Sequence, residues 1–329
     1  MTGISLIHLG IQSLEPGNIR TPMTVSSDFK AKDAESYDEV ADKFDELAQL
    51  YAGPQARYLT QAIDIASRKH VIDMGCGTGL VSFEAAATSS HQTTITGIDL
   101  SQGMLTQAKA KAEQNLLSER VTFQAGDAEA LDLPDDYADG FVSLYAFSHF
   151  PHPDKAAHEA LRVLSPGGRL AVAIGSGPQL MTRAGTGRAA AAIRRKWRQM
   201  RGREVTACDQ IDRLVRKHLP PIAEGKVADW ASGQRDVVGL LEGLFQAAGL
   251  VDCRRDWVGT DHSVPDADAF WTLQSTISTF ARKHIAAATP AQNATLKEAF
   301  RAECDAVLQA NGKLTYSVGA AVISGRKPH

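Results

Sequence analysis

Aromatic residues make up only 6% of the 329-residue chain, and cysteines number four. No apolar run nears the ~18 residues that a membrane-spanning helix needs. The longest early candidate, Ile4 to Ile11, is interrupted by His8 and Gly10 and lacks a basic start, so no secretory signal is expected. Cys76, Cys208, Cys253 and Cys304 are scattered, without a Cys-x-x-Cys pair or a histidine at ligand spacing. That excludes a disulfide framework and a structural zinc site as expectations, and it fits a reducing, cytoplasmic compartment. Charge of one sign is also lacking: the formal net charge is −3, which argues against a globally basic nucleic-acid binder. Glycine and proline together make 40 residues, too few for a collagen-like or low-complexity chain.

What is present is a soluble globular pattern. Residues 1–36, with Pro16, Gly17 and Pro22, read as an irregular arm. From Tyr37 apolar residues recur at three and four through Val40, Ala41, Phe44, Leu47, Ala48 and Tyr51, a helical period that Gly53-Pro54 is expected to break. A second helix is expected over Gln55 to Ala66. Strands and helices then alternate: strand His70 to Met74, helix Leu80 to Thr88, strand Thr94 to Leu100, helix Gly103 to Leu117. Strands Val121 to Ala125 and Gly140 to Leu144, helix Lys155 to Leu164 and strand Arg169 to Gly175 complete the run. That alternation implies right-handed crossovers and a largely parallel sheet covered on both faces. Residues 178–249 and 266–310 read as helical, with strands at Leu250 to Gly259 and Leu314 to Gly325. Thr289-Pro290-Ala291-Gln292 is a capping-box start, and Asn311-Gly312 the matching stop.

The most informative stretch is Asp73-Met74-Gly75-Cys76-Gly77-Thr78-Gly79, a strand running into a glycine-rich turn and then a helix. Glycines there allow positive φ and close approach of a ligand to the backbone, facing a helix N-terminus. A phosphate-cradling P-loop would need a lysine that is absent, and a dinucleotide fingerprint would need glycine where Leu80 stands. Asp73 beside the turn would repel a pyrophosphate and suits a ligand carrying an ammonium and a sulfonium. Asp99 ends the second strand, where a carboxylate can accept both hydroxyls of a ribose. Asp127 follows the third strand and can accept from an adenine amino group. Three carboxylates in register at strand ends point to one ligand along the carboxyl edge of the sheet.

With these pieces in order, the chain resembles a class I S-adenosylmethionine-dependent methyltransferase, on the small-molecule branch that includes the ubiquinone/menaquinone-biosynthesis type. The resemblance rests on Val71 to Gly79, Gly97 to Met104, Ala125 to Pro134, Asp139 to Pro153 and Glu159 to Gly168. It implies an α/β fold: a Rossmann-like, mostly parallel seven-stranded sheet with helices on both faces and a helical lid from C-terminal insertions. With the pattern of the flanking segments, the expected division is an arm (1–36), a cofactor-binding core (37–177), a helical cap (178–249) and a last unit (250–329) with two strands and a lid insertion. The resemblance also implies that Asp73 lies near the methionine end of S-adenosylmethionine, that Gly75, Cys76 and Gly77 wrap that end, and that Asp99 binds the ribose. Leu100 and Met104 would lie beside the adenine, Asp127 and Ala128 at its edge, and Leu144 and Tyr145 along the methionine. No metal is implied.

Methyl transfer is an in-line displacement that depends on positioning and a dry site, so no catalytic triad need be visible. A general base helps where the acceptor must lose a proton, and His149, just past the fourth strand, is the candidate. A histidine that only bonds loop backbone is the plainer alternative. Phe270, Trp271 and Phe280 are expected to build an apolar lid wall, with Trp230 and Phe245 adding to it. The eight cations from Arg183 to Arg203 read as a solvated helix face, with contact to an anionic acceptor as the alternative. The expected function is methylation of O, N or C on a small, apolar or anionic acceptor. A cofactor-binding protein without methyl transfer, a rearrangement catalyst among them, stays open, with RNA methylation behind it. No nucleic-acid or membrane partner is expected, and a homodimer through the arm or the lid is open.

Overall fold

The computed structural model describes residues 23–176, 193–222 and 236–329. The elements, in chain order, begin with α1 (Met23–Asp38), α2 (Ala41–Ala62), β1 (His70–Met74), α3 (Leu80–Thr88), β2 (Thr94–Asp99), α4 (Gln102–Gln114), β3 (Val121–Ala125) and β4 (Ala138–Leu144). Next come α5 (Pro153–Val163), β5 (Leu164–Gly175), α6 (described over 193–200), β6 (Glu204–Thr206), α7 (Asp209–His218) and α8 (Val237–Ala247). The chain closes with β7 (Val251–Val264), α9 (Ala267–Ile277), α10 (Thr279–Ala287), α11 (Pro290–Gln309) and β8 (Lys313–Arg326).

The strands form one eight-stranded sheet in the order β3-β2-β1-β4-β5-β8-β6, with β7 on the other edge of β8. β1 to β5 pair in parallel, and β8 runs antiparallel to β5 and β7. The expected seven strands become eight because Glu204–Thr206 adds a short parallel pairing to residues 313–315 of β8. A three-residue strand carries no periodic signal, so only its partner defines it.

Apolar side chains fill both faces of the sheet. On one face Leu59, Val81, Leu105 and Ala108 from α2, α3 and α4 pack on Val71, Ile95 and Val142. On the other, Ala156, Ala160 and Leu161 of α5 and Leu241 and Phe245 of α8 pack on Ile72, Phe141 and Val172. Strands buried from both sides need apolar residues throughout, and Val71, Ile72 and Met74 are at most 1% exposed. A third core, built by α7, α9 and α11 around Phe270, Leu296 and Phe300, covers the far ends of β7 and β8. The capping box at Thr289 and Gln292 opens α11 as the sequence implied.

Several expectations are corrected. The irregular arm over 1–36 is helical from Met23, and the chain breaks between α1 and α2 at residues 39–40, not at Gly53-Pro54. Pro54 lies inside α2 and the helix ends at Ala62. The ring deprives only the Leu50 carbonyl of its partner, and Leu50 is solvent-exposed, while Ala52, Ala56 and Leu59 on either side stay locked to the core. Of the segment 178–249, α8 packs on the sheet: the Phe245 ring lies 5.2 Å from that of Phe147, centre to centre. Arg183, Arg188 and Trp230 lie outside the described residues. Within the basic run, Arg195 and Arg198 pair with the buried Glu204 (3.3 and 2.6 Å), and the Arg201 guanidinium sits 3.5 Å from the Trp197 ring centre.

Candidate functional site

The turn after β1 is built by its glycines. Gly75, Gly77 and Gly79 have φ of 67°, 53° and 87°, the left-handed region in which a side chain is strained. Amides of Gly75 and Cys76 donate to the Ile98 carbonyl at 2.7 and 3.1 Å, tying the turn to β2. A Cβ at Gly75 would stand 2.2 Å from that of Ala146, whereas one at Gly77 would meet nothing within 4 Å. The turn is therefore closed against the segment that follows β4 and open on the side of a cavity of about 230 Å³.

The residues expected at the cofactor, together with the candidate base, all line that cavity: Asp73, Gly75, Cys76, Gly77, Asp99, Leu100, Met104, Asp127, Ala128, Leu144, Tyr145 and His149. Parallel pairing accounts for this. Asp73 is aligned with Gly97, and Asp99 with Ala125, so their strand ends open on one edge. Asp99 Oδ2 accepts from the Gly77 amide (2.8 Å) and Oδ1 from the Ser101 amide (3.0 Å). Asp73 Oδ2 accepts from Ser82 Oγ at 2.6 Å, while Oδ1 is buried without a partner. Burial pushes the Asp73 carboxyl up to about 7, against the bond from Ser82 and with help from the Asp99 charge. Burial also raises Asp99, which the amides of Ser101 and Gly77 counter. It raises the Cys76 thiol well above its ordinary range, which disfavours the thiolate.

Helix α1, read as irregular, brings residues that sequence reasoning missed. Lys30 Nζ lies 2.7 Å from both Asp127 Oδ2 and Glu129 Oε2. Asp38 Oδ1 accepts from Ser101 Oγ (2.5 Å) and the Gly103 amide (2.8 Å), docking α1 on α4. Asp33 Oδ2 lies 3.0 Å from His149 Nδ1, and Asp33 Oδ1 lies 3.1 Å from Lys283 Nζ. Tyr37 OH is 3.2 Å from His149 Nε2 and 3.3 Å from Thr279 Oγ1. His149 is thus held by side chains, not by loop backbone. The only advance signal for α1 was Tyr37 at the start of the helical period.

Beyond His149 the cavity wall is apolar: Phe44, Leu47 and Tyr51 of α2, Ile277 at the end of α9, and Tyr316 and Val318 of β8. Tyr145 also lines the cavity. It takes φ 65° directly after β4, and burial holds its hydroxyl well above the ordinary range. Phe270, Trp271 and Phe280, expected on the lid wall, are not among the lining residues. Phe270 and Trp271 pack on Phe300 at 6.0 and 5.2 Å, and Phe280 lies under Arg216 at 4.4 Å. Ile277 is the residue of α9–α11 that reaches the cavity. Among the described residues, no group of three His, Cys, Asp or Glu is arranged to hold a metal ion, and no helix is long and apolar enough to cross a membrane.

An unpartnered buried carboxylate oxygen, two further acidic side chains and an unobstructed glycine together suit a ligand that carries positive charge and hydroxyl groups. Comparison with known proteins agrees with that chemistry. Residues 71–168 match the family model described as a methyltransferase domain. The chain is 32% identical over 141 residues to the ubiquinone/menaquinone biosynthesis C-methyltransferase UbiE of Methylobacterium nodulans, covering 41% of this chain and 56% of that relative. It is 30% identical over 141 residues to a ubiquinone biosynthesis O-methyltransferase of Coxiella burnetii, covering 39% and 58%. The chain therefore matches little more than half the length of these relatives. Among solved structures, the cyclase SpnF has a TM-score of 0.53 at 21% identity, covering 90% of this chain and 95% of that one, a likeness of fold.

Proposed function

Because residues 71–168 are a methyltransferase domain of the class I S-adenosylmethionine-dependent type, we propose that the whole chain methylates a small, largely apolar acceptor. The acceptor atom is O, N or C bearing a removable proton. One observation carries the reading: the glycine turn with its carboxylates and the held histidine open into the same cavity, and Phe44, Leu47, Ile277 and Val318 give that cavity an apolar side. When bound, S-adenosylmethionine supplies an electrophilic methyl group on a sulfonium. The residues fit that group. Asp73, with its free oxygen beside Gly75 and Gly77, would hold the end bearing the ammonium, and Asp99 the ribose hydroxyls. Asp127 and Ala128, with Leu100 and Met104, would hold the adenine, and Leu144 and Tyr145 would flank the methionine.

The chain's own part is to orient, to exclude water and to take a proton. Phe44, Leu47, Tyr51 and Val318 enclose the acceptor in an apolar wall, which favours dispersal of charge in the displacement. His149 Nε2 faces Tyr37 OH, and an acceptor oxygen or nitrogen replacing that hydroxyl would hand its proton to the imidazole. The four thiols are unpaired, which supports a reducing, cytoplasmic setting. A small-molecule acceptor, with no nucleic acid and no membrane span, remains the reading of partners; a homodimer through the N-terminal segment or the helical cap belongs to the same proposal.

The test is incubation with methyl-deuterated S-adenosylmethionine and a panel of hydroxylated apolar compounds, followed by mass spectrometry. Labelled product with matching S-adenosylhomocysteine supports the reading. Tight cofactor binding without consumption across the panel supports the alternative, a catalyst that retains the cofactor and transfers no methyl. Absence of cofactor binding refutes both.

A further inference from the structure

We propose that Asp33 of α1 is a positioning residue for His149: it fixes the imidazole with the proton on Nδ1 and leaves Nε2 as the proton acceptor. The inference rests on the reading of His149 as a base. The geometry limits the choices. Asp33 Oδ2 stands 3.0 Å from Nδ1, and an ionised carboxylate can only accept, so Nδ1 must carry hydrogen. On the other side of the ring, Tyr37 OH stands 3.2 Å from Nε2. Burial holds the Tyr37 phenol above its ordinary range, so the hydroxyl keeps its proton and can donate it to a bare Nε2 or to Thr279 Oγ1. Asp33 thus selects the tautomer, and Tyr37, one turn on along α1, accommodates it.

Asp33 is itself kept ionised. It is 7% exposed, and burial works against its charge. The bonds and charges of His149 and Lys283 outweigh that, and its carboxyl lies below the ordinary range. The charged groups facing His149 are Asp33 on α1, Asp99 at the end of β2 and, through Asp33 and Tyr37, Lys283 and Arg282 on α10. The Arg282 guanidinium lies 4.3 Å from the Tyr37 ring centre, so α10 braces both partners of the imidazole. Asp33 is 116 residues from His149 in sequence, so the base is assembled only with α1 docked. The Lys30 bridge to Asp127 and Glu129 docks the same helix at the other end of the cavity.

The experiment is nitrogen-15 NMR of histidine-labelled protein, with the His149 signals assigned by their loss in His149→Gln. In the wild type, neutral His149 should be the Nδ1–H tautomer. In Asp33→Ala, with no acceptor left at Nδ1, it should shift towards Nε2–H. Lys283→Met keeps Asp33 and removes a competing cation, so the Nδ1–H tautomer should persist. This second variant decides the matter if Asp33→Ala fails to fold. An Nε2–H tautomer in the wild type overturns the proposal. So does an Asp33→Ala spectrum with unchanged tautomer, or a Lys283→Met spectrum in which the Nδ1–H form is lost. Calorimetry with S-adenosylhomocysteine on the same samples tests the underlying reading separately. No binding by the wild type refutes the cofactor assignment, whatever the tautomer of His149.

Discussion

Replacing Asp73 with Asn should stabilise the ligand-free protein at alkaline pH while weakening its hold on the cofactor. Asp73 is 1% exposed, one oxygen bonded to Ser82 and the other with no partner. Its carboxyl sits at about 7 in the folded chain against 3.8 for the free group, chiefly through burial. A folded pKa above the unfolded one means that the native state binds the extra proton between these values, so stability falls as pH rises through that window. A difference of about three units corresponds to roughly 4 kcal/mol, fully lost above about pH 8. Asparagine keeps an acceptor for Ser82 and carries no charge. Between pH 5 and 8.5, urea unfolding should show the wild type losing about 2–3 kcal/mol more than Asp73→Asn. S-adenosylhomocysteine should bind the variant about 10-fold or more weakly, because the charge that costs stability is the one the ligand's ammonium would meet. Equal pH slopes for the two proteins would refute the buried-charge argument. An affinity unchanged or improved would remove Asp73 from the binding site.

Asp99→Ala should weaken S-adenosylhomocysteine binding about 10- to 100-fold, since it removes a buried carboxylate that also orders the Gly77 amide; calorimetry with unchanged affinity would sink the ribose assignment. His149→Gln should lower turnover about 100-fold while S-adenosylhomocysteine affinity stays within a few-fold. Equal turnover at all pH values would leave His149 a structural residue. Gly97→Ala puts a Cβ 2.4 Å from Phe123 Cδ1 and 3.0 Å from Cys76 Sγ, and should cost about 1–3 kcal/mol in denaturant unfolding. A neutral result would mean that β2 and the Cys76 turn move apart more easily than their packing implies.

Local pattern carried the centre of this protein. Strand β3 and helix α3 have the bounds that alternation and periodicity assign, and the three carboxylates lie where a parallel sheet must put strand ends. Glycine spacing marked the turn because positive φ is a property of single residues, and the capping box at Thr289 is equally local. Such features need only neighbours in sequence. Tertiary structure decided the rest. Lys30 and Asp33 look like ordinary charged residues on a polar segment, and they face inward only because Asp127, Glu129, His149 and Lys283 lie 97 to 250 positions away to receive them. Pro54 announces a break by its own chemistry, yet packing of Ala56 and Leu59 holds the helix through it. α8 and α9 both read as apolar helices; the sheet face claimed the first and the C-terminal cap the second, so Phe245, Phe270 and Trp271 left the cavity wall to Tyr51, Ile277 and Tyr316. Hydrophobic period tells which face of an element is buried, and only the assembled chain supplies the surface it is buried against.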